Sequence, residues 1–338
     1  MKRARTQRHE SESDTESDSD EDSNDENAVV HAGRHFVIMY GPWLQDKRKT
    51  FDLVADDSFN EKTRFEKEQN KVQAQLHEIL NILPTRPRQF FLSGMSSQRS
   101  NTSSRLRRQV TAIFNAGLPV EVTAVDMLSS TTRRDKFQDY IGWIVNDEGQ
   151  GSYSNLDVAI LHKDYDGKFD YKTIFLNPLL MHVFAAIIRG PVSATAMIGP
   201  EKTAAPPTDN MELRLGLKNT TPGAIAATAV SARWALSADE KFQSRGAITG
   251  INYKAAFEEY LHYLMTGLWN KKASVMNIFR VWDTTLFPNT GSSLVHMQED
   301  RSHDEFRSAL EALDADEQEL SGEEDNDPED EANHGEDL

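Results

Sequence analysis

The clearest hydrophobic pattern in the chain covers residues 252–268. Apolar side chains recur there at i, i+3, i+4, i+7 and i+8, which is the spacing of one face of an α-helix. The same spacing returns over residues 275–286 after a short connection. Short connections favour antiparallel packing of consecutive helices. The pattern therefore predicts an antiparallel helix pair with Trp282 buried within it.

Proline marks the start of two further helices. Asn177-Pro178 and Thr221-Pro222 each place a proline where a helix would begin, and proline is favoured at the first helical position. Residues 179–188 are apolar on nearly every side, and the helix after Thr221 is rich in alanine. Both helices are therefore expected in the core. Weaker capping and period signals predict helices at residues 63–83, 105–116 and 136–145, and from Ser237 and Ser302.

The remaining segments of the body show neither the helical nor the strand period of apolar residues clearly. Residues 86–104, 146–170 and 191–220 are predicted to be long loops, and the β-branched residues 120–125 predict a short strand. The expected fold class is all-α. We predict a mainly helical single globular domain over residues 28–312, with one or two short strands at most and a candidate subdivision near residues 146–170.

Acidic residues are concentrated near both ends of the chain. The net charge is −17, yet residues 10–26 hold ten acids, residues 311–338 hold fourteen, and neither segment contains Lys or Arg. The first nine residues carry +4, so residues 27–310 are left with +3. The acidity therefore belongs to the ends, and the body is close to neutral.

The serine-rich acidic run has no aliphatic or aromatic side chain to bury. Disordered acidic tails are therefore predicted over residues 1–27 and 313–338. Several Ser and Thr precede an acid by three positions, the pattern that casein-kinase-2-type kinases prefer, although a plain solvating brush remains the alternative. The predicted phosphorylation positions are Ser11, Ser13, Thr15, Ser17, Ser19, Ser23 and, in the C-terminal tail, Ser321.

Composition excludes several classes of chemistry. The chain has no cysteine, which excludes disulfides, cysteine-based metal sites and a cysteine nucleophile. No apolar run is long enough for a membrane span and no signal peptide is visible, so no membrane association is expected. An intracellular location is predicted. The basic residues 2–8 favour the nucleus over the cytoplasm if they act as an import signal.

Residues 86–108 of the body are rich in arginine and contain no acid. Arginine with interleaved aromatic and hydroxyl side chains suits phosphate contact and base stacking. The alternative is a surface loop that binds the protein's own acidic tails, and the small charge of the body favours it. The candidate nucleic-acid contacts are Arg86, Arg88, Arg99, Arg105, Arg107 and Arg108.

Other motifs fall short of known sites. His31 and His35 share the spacing of a zinc helix, but the Glu after the first His is absent. Asp164 opens a sequence like that of a calcium loop, but the Gly is misplaced, Lys168 occupies a ligand position and no Glu stands at the twelfth position, which indicates a turn. His182 is alone on an apolar helix. No catalytic, metal or cofactor-binding residue is predicted, and no cofactor is expected.

The C-terminal half resembles a known family. The run TPGAIAATAVSARWALSADEKF at residues 221–242 and the run HVFAAIIRGPVSA at residues 182–194 are similar to uncharacterised proteins of basidiomycete fungi. The resemblance covers residues 174–290. It implies a fungal origin and a link to mobile genetic elements. The family is known only as a domain of unknown function, so the resemblance assigns no residue a role.

Three functions are therefore carried forward. The leading one is a non-enzymatic intracellular protein whose helical body binds another protein. The second is a nucleic-acid-associated factor that uses residues 86–108. The third is an enzyme whose site assembles only in the fold. The sequence makes no prediction of the oligomeric state.

Overall fold

The described part of the chain is mainly helical. The computed structural model describes residues 18–83, 88–115, 118–190 and 210–288, with side chains from residue 26. Within these ranges the chain forms eleven α-helices and one two-stranded sheet. The all-α prediction is confirmed. The predicted tails lie outside the described residues except at residues 18–27, which belong to the first helix.

The elements follow one another along the chain as eleven helices interrupted by one hairpin. The helices are α1 (Asp18–Met39), α2 (Lys49–Asp52), α3 (Glu68–Ile82), α4 (Arg88–Arg108), α5 (Val110–Phe114), α6 (Ser130–Phe137), α7 (Pro178–Ile188), α8 (Met211–Leu215), α9 (Pro222–Leu236), α10 (Tyr253–Trp269) and α11 (Ala273–Leu286). The strands β1 (Trp143–Val145) and β2 (Gly151–Tyr153) pair antiparallel, with Ile144 opposite Ser152.

The two proline-started helices lie at the centre of the core, as predicted. Asn177 caps α7 by accepting a hydrogen bond from the Leu179 amide at 3.0 Å, and Thr221 caps α9 in the same way at 3.1 Å from Ala224 N. Every side chain from Leu179 to the end of α7 is buried, and the same holds for α9 after its proline.

The helices α10 and α11 also form as predicted and contact each other. A Cβ atom added at Gly267 would lie 2.3 Å from a methyl group of Val275, so the two helices meet there at close range. Trp282 on α11 is fully buried, and its Nε1 donates to the Phe175 carbonyl at 2.8 Å. The buried position predicted for this side chain is confirmed.

The helices α1 and α4 run side by side in the same direction. A Cβ atom at Gly33 or Gly94 would lie 2.1 Å from a carbonyl oxygen of the other helix, so the two backbones touch. Further along α1, Ile38 shares a small cavity with Thr102 of α4. Glycine permits this close approach because it has no side chain.

The loop predicted at residues 86–104 was wrong, because residues 88–104 are part of α4. The helix escaped detection because small and polar residues separate the buried apolar side chains Phe91, Met95 and Leu106. Gly94, Gln98 and Thr102 are all buried there, and Gln98 Nε2 donates to Thr102 Oγ1 at 3.1 Å. These residues interrupt the hydrophobic period that a sequence pattern would reveal.

Four weaker predictions also needed correction. The first capping box does not start α3, which begins at Glu68. Residues 120–125 form no strand in the described chain. The helix predicted over 136–145 ends at Phe137, and Gly142, with φ of +93°, precedes β1. Ser237 ends α9 instead of starting a helix, since its hydroxyl donates to the Trp234 carbonyl at 2.8 Å.

A helix that spans a membrane must be both long and apolar. None of the helices among the described residues is both long enough and apolar enough to cross a membrane. The helix predicted to start at Ser302 lies outside the described residues.

Candidate functional site

Two of the predicted arginine contacts point into the protein. Arg99 Nη1 donates to the Pro42 carbonyl at 2.8 Å. Arg105 Nη1 donates to the carbonyls of Ala186 and Ile187 at 3.1 and 2.9 Å, in the last turn of α7. Burial lowers the pKa of both guanidinium groups. These two arginines therefore contribute to the fold, and Arg105 joins α4 to the end of α7.

Arg107 also points inward, towards the C-terminal end of α9. Its Nη2 donates to the carbonyls of Trp234 and Asp239, and its guanidinium lies 4.3 Å from the centre of the Trp234 ring. Burial lowers the pKa of Arg107 to about 10. The last carbonyls of a helix carry a partial negative charge, so a guanidinium in this position stabilises the end of α9.

Two arginines that the sequence did not single out also donate to backbone carbonyls, and Arg133 shares the role at the end of α9. Arg133 Nε donates to the Ser237 carbonyl at 2.8 Å, just beyond α9. Arg233 is fully buried, and its Nε donates to the Ile141 carbonyl at 2.9 Å. Arg133 lies 104 positions from Ser237 in sequence, and Arg233 lies 92 positions from Ile141. No local sequence pattern connects partners at such separations. Only the fold shows that these cations are structural.

A polar cleft opens at the C-terminal end of α4. Its volume is about 420 Å³, and the described residues that line it are Asn101, Ser104, Arg105, Arg108 and Gln109. The first four are spaced at i, i+3, i+4 and i+7, so they share one face of the last two turns of α4. None of the five carries a carboxylate. We name this feature the α4 cleft.

Arg108 is the exposed cation of the α4 cleft. Its Nε donates to Ser104 Oγ at 3.1 Å and its Nη2 donates to the same oxygen at 2.5 Å. No carboxylate of the described residues forms an ion pair with Arg105 or Arg108. The α4 cleft therefore has the donors and the charge that an anionic group requires.

The other two predicted contacts do not join this cleft. Arg88 is half-buried at the opposite end of α4, about 30 Å away at 1.5 Å per residue. Arg86 lies outside the described residues. The structure therefore brings Arg105 and Arg108 together, and adds Asn101, Ser104 and Gln109, which sequence reasoning did not identify.

Titratable groups elsewhere in the described ranges form no metal site. His31 and His35 lie on α1, and burial lowers the pKa of each. Among the described residues, no three His, Asp or Glu side chains are grouped as metal ligands. His182 is buried on α7 with Nδ1 unpartnered, and burial lowers its pKa.

Two further pockets lined by described residues are much smaller than the α4 cleft. One of about 20 Å³ lies between α1, α4, α7 and α9, and the other, of about 10 Å³, lies beside Lys71 and Glu258. A single water molecule needs roughly 10–15 Å³ by the same measure. Neither cavity has room for a substrate.

Comparison with known families identifies part of the chain. Residues 158–287 match DUF6698, a family of unknown function. The DUF6698 region contains α7 to α11 and overlaps the range over which the resemblance was predicted. Arg105 connects the α4 cleft to this region through the α7 carbonyls. No curated protein and no solved structure matches the chain.

Proposed function

We propose that this chain is a non-enzymatic binding protein whose α4 cleft holds an acidic segment of a partner protein. The observation that carries the proposal is the pairing of Arg105 and Arg108 in an open cleft of about 420 Å³ whose described lining residues include no carboxylate. Clusters of arginine are a recurring device for binding acidic motifs. An acidic segment would supply the negative charge that the described neighbours of Arg108 do not.

A protein partner is favoured over a nucleic acid by the number of free cations. Nucleic-acid binding gains most of its affinity from several cations that neutralise phosphates along the backbone. Arg99 and Arg107 already donate to backbone carbonyls and do not line the α4 cleft. Arg88 lies at the opposite end of α4 from Arg105 and Arg108, so a phosphate backbone would meet only two of the described candidate guanidinium groups in one place.

A panel of labelled ligands tests the proposal. The full chain is titrated by fluorescence anisotropy with a glutamate-rich peptide, a DNA duplex and a single-stranded RNA at about 50 and 200 mM salt. The peptide is expected to bind, and Arg108→Ala is expected to weaken it about tenfold. The matched control is Arg280→Ala, because Arg280 is also exposed and bonded to a polar side chain, Asn277, on its own helix.

Two outcomes would contradict this function. Absence of peptide binding at the lower salt concentration would reject it. Binding of DNA or RNA alone, with a steep salt dependence that Arg108→Ala reduces, would replace it with the nucleic-acid-associated factor.

The cellular setting is a second part of the proposal. We place the chain inside the cell, with the nucleus favoured because residues 2–8 are basic. The fungal origin and the link to mobile elements rest on the sequence resemblance.

A further inference from the structure

We infer that the α4 cleft is specific for a phosphate monoester on Ser or Thr within an acidic segment of a protein. This inference rests on the proposed function, because it names the group that the same cleft recognises. The chemistry also occurs in this chain itself, where residues 10–17 alternate acids with Ser and Thr.

The donors of the α4 cleft outnumber what a carboxylate can accept. Arg105 makes its hydrogen bonds to described residues from Nη1, so the N–H groups of Nε and Nη2 are available. Arg108 adds the N–H groups of Nη1, and the hydroxyl of Ser104 can donate while it accepts from Arg108. Asn101 and Gln109 each contribute an amide. A phosphate offers three acceptor oxygens, and guanidinium groups bind phosphate through paired N–H donors.

Charge favours phosphate over carboxylate for a separate reason. Two guanidinium groups line the cleft, while the C-terminal ends of α4 and α7 lie beside them and carry about −0.5 charge each. The net local charge is therefore about +1. A phosphoserine carries about −1.5 to −2 charges at neutral pH, so its attraction to this charge is up to about twice that of a carboxylate.

The size of the cleft points to a segment of protein and not to a free ion. Its volume of about 420 Å³ falls within the range of about 300–1,000 Å³ typical of ligand sites. The cleft is also open to the surface on the exposed side of Asn101 and Arg108. The cleft therefore offers open space beside Arg108 for the residues that flank a phosphoserine.

The test compares one peptide with and without its phosphate. The probe is a fluorescein-labelled peptide of residues 9–19 of this chain, either unmodified or phosphorylated at Ser13, titrated into the full chain. The phosphopeptide is expected to bind about tenfold more tightly. Arg108→Glu should remove the difference, whereas Arg280→Glu should preserve it. Thermal unfolding shows that each variant is folded.

Two further measurements separate a phosphate site from a general effect of charge. The second pKa of a phosphate monoester is about 6, so the advantage of the phosphopeptide should shrink when the pH falls from about 7.5 to 5. Arg108→Lys should bind the phosphopeptide more weakly than the natural chain, because lysine lacks the paired donors of guanidinium.

The possible outcomes separate phosphate specificity from the proposed binding of an acidic segment. Equal binding of the two peptides would overturn the phosphate specificity and leave the proposed function standing. Failure of both peptides would overturn the two together. A DNA oligonucleotide that binds only with a 5′-phosphate, or inorganic phosphate that binds as tightly as the phosphopeptide, would overturn the assignment to a protein segment.

Discussion

At the scale of single residues, Asp283 on α11 holds a buried carboxylate that is only half satisfied. Its Oδ1 accepts hydrogen bonds from Thr220 N and Thr220 Oγ1, both at 2.7 Å. Its Oδ2 is buried and has no partner among the described residues. Burial raises the pKa of Asp283. The charged form is therefore less stable in the folded protein than in the unfolded chain.

This carboxylate predicts a pH-dependent stability. Because the folded pKa is raised, the contribution of Asp283 is most favourable at pH values below the unfolded pKa and is lost as the pH rises through the folded one. Asp283→Asn keeps the accepting oxygen and removes the charge. The variant should be more stable than the natural chain at pH 7, measured by urea denaturation, and the gain should vanish near pH 3.

Asp157 provides the matched control for this substitution. Its Oδ1 accepts from Phe169 N at 2.7 Å and its Oδ2 accepts from Ser154 Oγ at 3.2 Å, so both oxygens are used. Asp157→Asn should therefore lower stability. A loss of stability in both variants at pH 7 would contradict the prediction that the charged form of Asp283 lowers the unfolding free energy.

At the scale of elements, arginines stabilise the C-terminal ends of the central helices by donating hydrogen bonds to their last carbonyls. Arg105 holds the end of α7 and Arg107 holds the end of α9, although the two side chains are only two positions apart on α4. One helix thus secures two others. The central helices α7 and α9 are therefore stabilised by arginines, a residue type that is usually found at the protein surface.

Neighbouring arginines therefore differ in their predicted effect on stability. Arg107→Ala removes several charge-assisted hydrogen bonds and the contact with the Trp234 ring, and should cost about 3 kcal/mol in unfolding free energy. Arg108→Ala removes only bonds to Ser104 at the surface and should cost less than about 0.5 kcal/mol. Chemical denaturation of the two variants measures both. Equal losses would contradict the structural role of Arg107.

The sequence predicted elements well where they bury apolar side chains. The helices α7, α9, α10 and α11 carried clear periods or proline starts, and all four formed. The helix α4 did not, because Gly94, Gln98 and Thr102 interrupt the series of its buried apolar side chains. Amphipathic patterning detects a continuous apolar face, and it misses a helix whose buried face mixes apolar, small and polar residues.

At the scale of the whole molecule, the acidic and basic features occupy separate parts of the chain. The acids are concentrated near the two ends, and the described body has an arginine-lined cleft. The arginine-rich segment was predictable from the sequence. Which arginines remain available was not, since Arg107 finds its carbonyl partners more than 120 positions away, at and beyond the end of α9. That division between structural and available cations defines the candidate site.

Protection of a single cysteine tests most directly whether an acidic segment lies in the α4 cleft. The chain has no cysteine, so Asn101→Cys places one thiol at the rim of the cleft, and Thr284→Cys places one on the exposed side of α11 as the control. The rate of alkylation of each full-length variant is followed by mass spectrometry with and without saturating glutamate-rich peptide. The account predicts that the peptide slows alkylation at residue 101 at least about fivefold and leaves residue 284 unchanged. Equal rates at residue 101 with and without bound peptide would contradict it.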